Sequence, residues 1–162
     1  MAHLGDAYAW MRSRRDPFDV VLIDFPEPTI YSNGQLYSLG LYPNLRRILA
    51  PEGALSVQSG APYVAPQSFA VIGATLAVAG FAVRPYHAYG PSFGDWGFTL
   101  AGDAASLPPK AFPRDLRYLD AREERTLFDF PRDMLANSPG INRLDKQLLV
   151  RTFTSEWRRY GD

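Results

Sequence analysis

At 162 residues, with 46% hydrophobic and 14% aromatic side chains, the chain has the size and apolar content of one folded domain, which excludes a disordered polypeptide. Lysine plus arginine and aspartate plus glutamate both number 17, so there is no basic field of the kind that holds nucleic acid, and none is expected as a partner. With no cysteine and only His3 and His87, disulfides and thiolate metal sites are excluded, any metal would need carboxylates alone, and no metal site is expected.

In chain order, Asp6 is positioned to cap a short amphipathic helix over residues 6–15, with Ala7, Trp10 and Met11 at helical spacing before Arg12, Arg14 and Arg15. Val20 to Ile23 form an unbroken aliphatic run, which predicts a strand buried on both faces of a parallel sheet. The run stops at Asp24, where open α/β sheets bind their ligands, and Glu27 follows between Pro26 and Pro28, which stiffen the loop. Two acids at a strand mouth suggest cation handling. On spacing alone, the alternative that Asp24 caps a turn and Glu27 is merely solvated stays open.

Residues 29–38 contain an Asn33-Gly34 turn signal with Tyr31 and Tyr37 beside it, and read as a mobile flap over the strand mouth. Leu41, Leu45, Ile48 and Leu49 give a helical stripe ended by Pro51 and Gly53, and a strand over Ala54 to Gln58 ends in Gln58-Ser59-Gly60. A helix over Ser68 to Ala79 is closed by Gly80, and the next strand runs from Phe81 to about Tyr89. Gly90-Pro91-Ser92 turns the chain into a last strand, Trp96 to Ala101, antiparallel to its predecessor. A loop holding Pro108, Pro109 and Pro113 leads to a helix around Ala121 to Phe128 that Phe130 to Ala136 continues, then to a helical segment over Arg143 to Trp157. The longest apolar stretch, Phe69 to Val83, is too short to span a bilayer and is broken by Gly73, Thr75 and Gly80; with no signal-like start, the chain reads as cytoplasmic.

A strand that is apolar on both faces wants sheet neighbours on both sides, and the chain supplies only one. A doubly wound nucleotide site also opens on a glycine-rich strand-turn-helix, but no G-x-G occurs here, so the first half-site is expected upstream of Met1. The open edge predicts either pairing with a second copy, a homodimer, or poor behaviour in solution; a C-terminal segment folded over the edge is the rival arrangement.

The motifs G-D-A at Gly5 to Ala7, D-F-P-E-P at Asp24 to Pro28, V-Q-S at Val57 to Ser59, P-S-F-G-D-W-G-F at Pro91 to Phe98 and N-R-L-D-K-Q from Asn142, in this order, resemble the C-terminal half of the polyamine aminopropyltransferases, the spermidine and spermine synthase family. The likeness is greatest to the long, membrane-tethered subgroup. It implies an α/β fold: the C-terminal half of a Rossmann-like sheet of the AdoMet-dependent methyltransferase type, with an antiparallel last strand. The division implied is 1–102 as that half domain and 103–162 as a helical C-terminal extension packed on it. The activity implied is transfer of the aminopropyl group of decarboxylated S-adenosylmethionine, a co-substrate rather than a tightly bound cofactor, to putrescine or a related amine. By position, Asp24 resembles the acid that takes the amine's proton, Glu27 a second polyamine-holding acid, and Gln58 a glutamine near the reaction centre, while Asp6 and the Ala7 backbone amide match adenine contacts. Glu27 stands where the family usually has aspartate, and the ribose-binding acid has no counterpart.

The acids suit that chemistry. An aliphatic amine with a pKa of about 10.4 is protonated near neutral pH and must lose a proton before it attacks. A carboxylate beside a desolvated ammonium can take it, and displacement at the carbon bonded to sulfur expels a neutral thioether. Tyr31, Tyr37, Tyr63 and Trp96 offer faces for alkyl-ammonium or adenine, with Tyr31 a candidate for substrate binding, or simply pack. His87 reads as structural and Asp95 as a hairpin-turn acid. Two further readings stand: an AdoMet-dependent methyltransferase, and a non-catalytic remnant that dimerises or binds a partner. The isolated fragment is expected to be inactive.

Overall fold

The computed structural model describes residues 2–103 and 115–161. Its centre is a four-stranded sheet in the order β1-β2-β4-β3, built from β1 (Phe18–Ile23), β2 (Leu49–Gly60), β3 (Ala82–Gly90) and β4 (Gly94–Gly102). β1 and β2 run parallel, joined by a crossover; β4 inserts between β2 and β3 and is antiparallel to both, as the hairpin signal predicts. The helices are α1 (Ala7–Ser13), α2 (Tyr31–Gly34), α3 (Tyr42–Ile48), α4 (Pro66–Val78), α5 (Ala121–Leu127) and α6 (Leu148–Gly161).

Alternation along the strands decides where the core sits. Leu55 and Val57 of β2 and Ala101 of β4 point to one face, where they meet Leu41, Tyr42, Leu45 and Ile48 around α3 and Val71, Ile72 and Leu76 of α4. Gly53 brings β2 close under β1: a Cβ there would stand 2.9 Å from the Phe18 carbonyl oxygen. Gly80, at φ +93°, reverses the chain from α4 into β3, as its position predicts.

Three expectations are corrected. β1 is not buried on both faces: Val20 and Leu22 are 65% and 80% exposed, because only its Val21 and Ile23 side meets the core and no described helix packs over the other. An aliphatic run reports apolarity, and an edge strand can share it with a central one. Residues 29–38 are not a free flap. They form α2 and a 3₁₀ turn (Gln35–Tyr37), fixed from behind by the fully buried Asn142, whose Nδ2 donates to the carbonyls of Gly34 at 2.8 Å and Tyr37 at 3.3 Å. Phe130 to Ala136 does not extend α5: Pro131 intervenes and only a 3₁₀ turn, Arg132–Met134, follows.

α6 begins at Leu148, later than Arg143, after a turn in which Gln147 adopts φ 45°. It packs on α4 and α2, and α5 lies on β3, so none of the described C-terminal elements packs chiefly on β1, whose one strand neighbour is β2. The Pro108–Pro113 loop lies outside the described residues. Among the described residues no helix is long and apolar enough to cross a membrane.

Candidate functional site

Parallel pairing brings the carboxyl ends of β1 and β2 side by side, and the antiparallel β4 begins at that same end. Asp24 leaves β1 there, and Gln58 stands near the end of β2 opposite Phe98. The two line an open cavity of about 600 Å³ on the sheet's less covered face, with Leu22, Ser56, Tyr86, Phe93, Trp96 and Phe98 as walls. Tyr86 and Phe98, cross-strand partners, stack at 5.1 Å, and the Tyr86 hydroxyl is 2.8 Å from Ser56 Oγ. The result is an aromatic pocket with a carboxylate and a carboxamide at its mouth, the composition expected where an apolar ligand body carries one charged end.

The loop after Asp24 is held from several directions. The Glu27 carbonyl accepts from the Thr29 amide at 2.8 Å and from Asn33 Nδ2 at 2.9 Å. Tyr37, 1% exposed, donates its hydroxyl to the Phe25 carbonyl at 2.9 Å, with the Pro26 carbonyl at 3.3 Å and Gln58 Oε1 at 3.4 Å, and its ring meets Phe25 edge-on at 5.7 Å. Burial first, then the charges of Asp24 and Glu27, push this phenol well above its ordinary value. Glu27 lines a narrow cleft beside Tyr37, Gln58, Ser59 and Phe153, so Gln58 is the wall between that cleft and the cavity of Asp24. Among the described residues no ion pair engages either acid, which leaves both charges for a ligand. No group of three or more metal-ligating side chains occurs among them either.

Asp24, Glu27 and Gln58 are thus brought together, and Trp96 joins them in the cavity wall. Tyr31 is not among the lining residues; it is 57% exposed and donates to the Leu144 carbonyl at 3.3 Å. Asp6 caps α1, accepting from the Ala9 amide at 3.0 Å, and Ala7 packs at the rim of the core; neither lines the cavity of Asp24. Tyr63 is half out in solvent, edge-on to Tyr160. His87 Nδ1 lies 2.8 Å from Asp95 Oδ1, and its Nε2 is 3.1 Å from the Asp129 carbonyl, so the pair ties the hairpin to the segment after α5. Of the wall residues, Ser56 and Tyr86 lie in no motif, and Phe98 ends one without a role being read for it. The period of two along neighbouring strands was the available signal, since all three share the face of Leu22 and Gln58. Nothing local announces the anchoring by Tyr37.

The family model described as the spermine/spermidine synthase domain matches residues 1–108. The chain belongs to that family. The chain is 43% identical over 157 residues to a polyamine aminopropyltransferase of Leptospira interrogans, covering 97% of itself and 32% of that relative. It is also 43% identical over 155 residues to polyamine aminopropyltransferase 2 of Ralstonia nicotianae, covering 94% of itself and 30% of the relative. The chain therefore spans about a third of the length of these curated relatives. Among solved structures, it is similar to a spermidine synthase in complex with the transition-state analogue AdoDATO, with a TM-score of 0.63 and 23% identity over 76% of this chain and 45% of that one. The spermidine synthase of Thermotoga maritima gives 0.64 and 20% over 79% and 46%. Such likenesses fix the fold: a Rossmann-like, methyltransferase-type sheet, present here in part, with its antiparallel strand.

Proposed function

We propose that the chain carries the amine side of a polyamine aminopropyltransferase, which moves the aminopropyl group of decarboxylated S-adenosylmethionine onto putrescine or a related diamine. One observation carries this reading: Asp24 stands at the end of β1, with no ion pair among the described residues, in the wall of an aromatic cavity that it shares with Gln58. An ammonium drawn against that carboxylate and away from water loses its proton to Asp24. The freed nitrogen lone pair attacks the carbon bonded to the sulfonium, a carbon–nitrogen bond forms as the carbon–sulfur bond breaks, and sulfur leaves as a neutral thioether. Glu27, beyond Gln58, suits the second ammonium of the diamine. The nucleoside is a co-substrate that arrives and leaves, so no resident cofactor is required, and the substrates are those of the cytoplasm.

The chain mixed with decarboxylated S-adenosylmethionine and putrescine, alone and with the upstream part of a full-length relative supplied in trans, tests the reading by product mass. An aminopropyl increment supports it and a methyl increment replaces it with methyl transfer. Asp24→Asn is expected to lower turnover by about 10²- to 10⁴-fold, the usual span of a general base; a smaller loss removes Asp24 from that role.

The bare apolar face and unpaired edge of β1 favour a further element of the reading, self-association as a homodimer through that edge.

A further inference from the structure

We propose that Tyr37 is a positioning residue that sets both amine contacts at once: it ties down the peptide between Asp24 and Glu27, and it turns the Gln58 carboxamide so that its oxygen faces the amine. The inference rests on the diamine reading above and deepens it.

The argument is a count of hydrogens. A phenol carries one, and the nearest acceptor is the Phe25 carbonyl at 2.9 Å, the link that immediately follows Asp24. Gln58 Oε1, at 3.4 Å, then faces an oxygen whose only hydrogen is already committed. Two acceptors facing each other in this partly buried contact repel, whereas the reversed carboxamide occupies the same space. It points Nε2–H at a lone pair of the Tyr37 oxygen. Oε1 is then left on the side where the carboxamide meets no partner among the described residues, toward the cavity that Gln58 lines with Asp24. An ammonium there has a carboxylate and a carboxamide oxygen as acceptors, where the opposite orientation would present it with an N–H.

The tyrosine itself is fixed independently of the site. Its carbonyl accepts from Asn142 Nδ2 at 3.3 Å, and Asn142 Oδ1 accepts from the Leu149 amide at 3.1 Å, at the start of α6. Asn142 also receives order from α4, its amide donating to Thr75 Oγ1 at 2.9 Å. The phenol is thus a strut between the helical layer and the acid loop.

Two measurements on the full 162-residue chain decide it. In nitrogen-15 spectra of the unaltered protein, the Gln58 side-chain NH₂ is expected to show proton contacts to the Tyr37 ring and to exchange slowly. An NH₂ with no such contact and unprotected exchange overturns the proposal, whether or not a diamine binds. In calorimetry with 1,4-diaminobutane, Tyr37→Phe and Gln58→Leu are each expected to weaken binding about tenfold, the scale of one hydrogen bond to a charged group. The double variant is expected to be little worse than either, because the two act through one contact. Strictly additive losses, or an unchanged affinity in Tyr37→Phe, also overturn it. If the unaltered chain takes up no diamine at all, the diamine reading falls, and the carboxamide spectra alone still decide the Tyr37–Gln58 contact.

Discussion

Glu156 shows how much a single buried charge can organise. The residue before α4 is Ala65, which has no side chain to accept from the helix's first amides, and Pro66 follows it. The missing cap comes from α6: Glu156, 8% exposed, accepts from the Gln67 amide at 2.8 Å, the Ser68 amide at 3.0 Å and Ser68 Oγ at 2.6 Å. A carboxylate at a helix start also meets the positive end of the helix dipole. Glu156→Ala strands two buried donors and one partly buried one and is expected to cost about 2–4 kcal/mol in urea unfolding, with Glu156→Gln recovering part of the loss. A cost under about 0.5 kcal/mol would mean that water caps α4. Tyr37 offers the matching test at alkaline pH. Its pKa is raised in the folded state, so its contribution is complete below the unfolded value of 10.0 and declines as pH rises toward the folded one. Tyr37→Phe has no such proton, so the stability gap between the two proteins is expected to narrow by about 1.4 kcal/mol between pH 9 and pH 11. A gap constant with pH would place the phenol in water.

At the scale of elements, the junction of α2 with α6 fixes the acid loop. Gly34 is needed there for space rather than for conformation: a Cβ would meet Val150 and would stand 2.6 Å from Gln147 Oε1. Gly34→Ala is therefore expected to push α2 away from α6, costing about 1–3 kcal/mol and disturbing the Asn142 bond to the Gly34 carbonyl. Unchanged stability with an unchanged Asn142 side-chain signal would show that α6 yields freely. The same junction marks where sequence reading reaches its limit. Asp24, Gln58 and the antiparallel β4 were legible because a strand that stops at a polar residue, or returns after Gly90-Pro91, writes its boundary locally. Asn33-Gly34 also carries a local turn signal, yet it lies inside a helix, because Asn142 and α6, more than 100 residues away, hold it there. The open edge of β1 was legible, but the exposure of Leu22 was not, since it depends on what covers that face of the strand and not on what Leu22 is.

For the molecule as a whole, the unequal covering of the sheet is the dominant physical fact. One face is packed by α3 and α4, while at the β1 edge the other presents Val20 and Leu22 to solvent, and the outer backbone groups of β1 have no ladder partner among the described residues. Two copies related by a two-fold axis can join their β1 edges antiparallel, which satisfies those groups and makes one continuous sheet. Lysine at both Val20 and Leu22 would set like charges against each other across that axis while touching nothing in the core of a single copy. In sedimentation equilibrium the unaltered chain is expected to dimerise, and the double lysine variant to dissociate at least about tenfold more readily with its helical circular dichroism retained. A dimer that survives both lysines would have its interface elsewhere. A chain still monomeric at about 100 µM would mean that this edge is satisfied by water alone, and the homodimer would be lost while the site at Asp24 stood untouched.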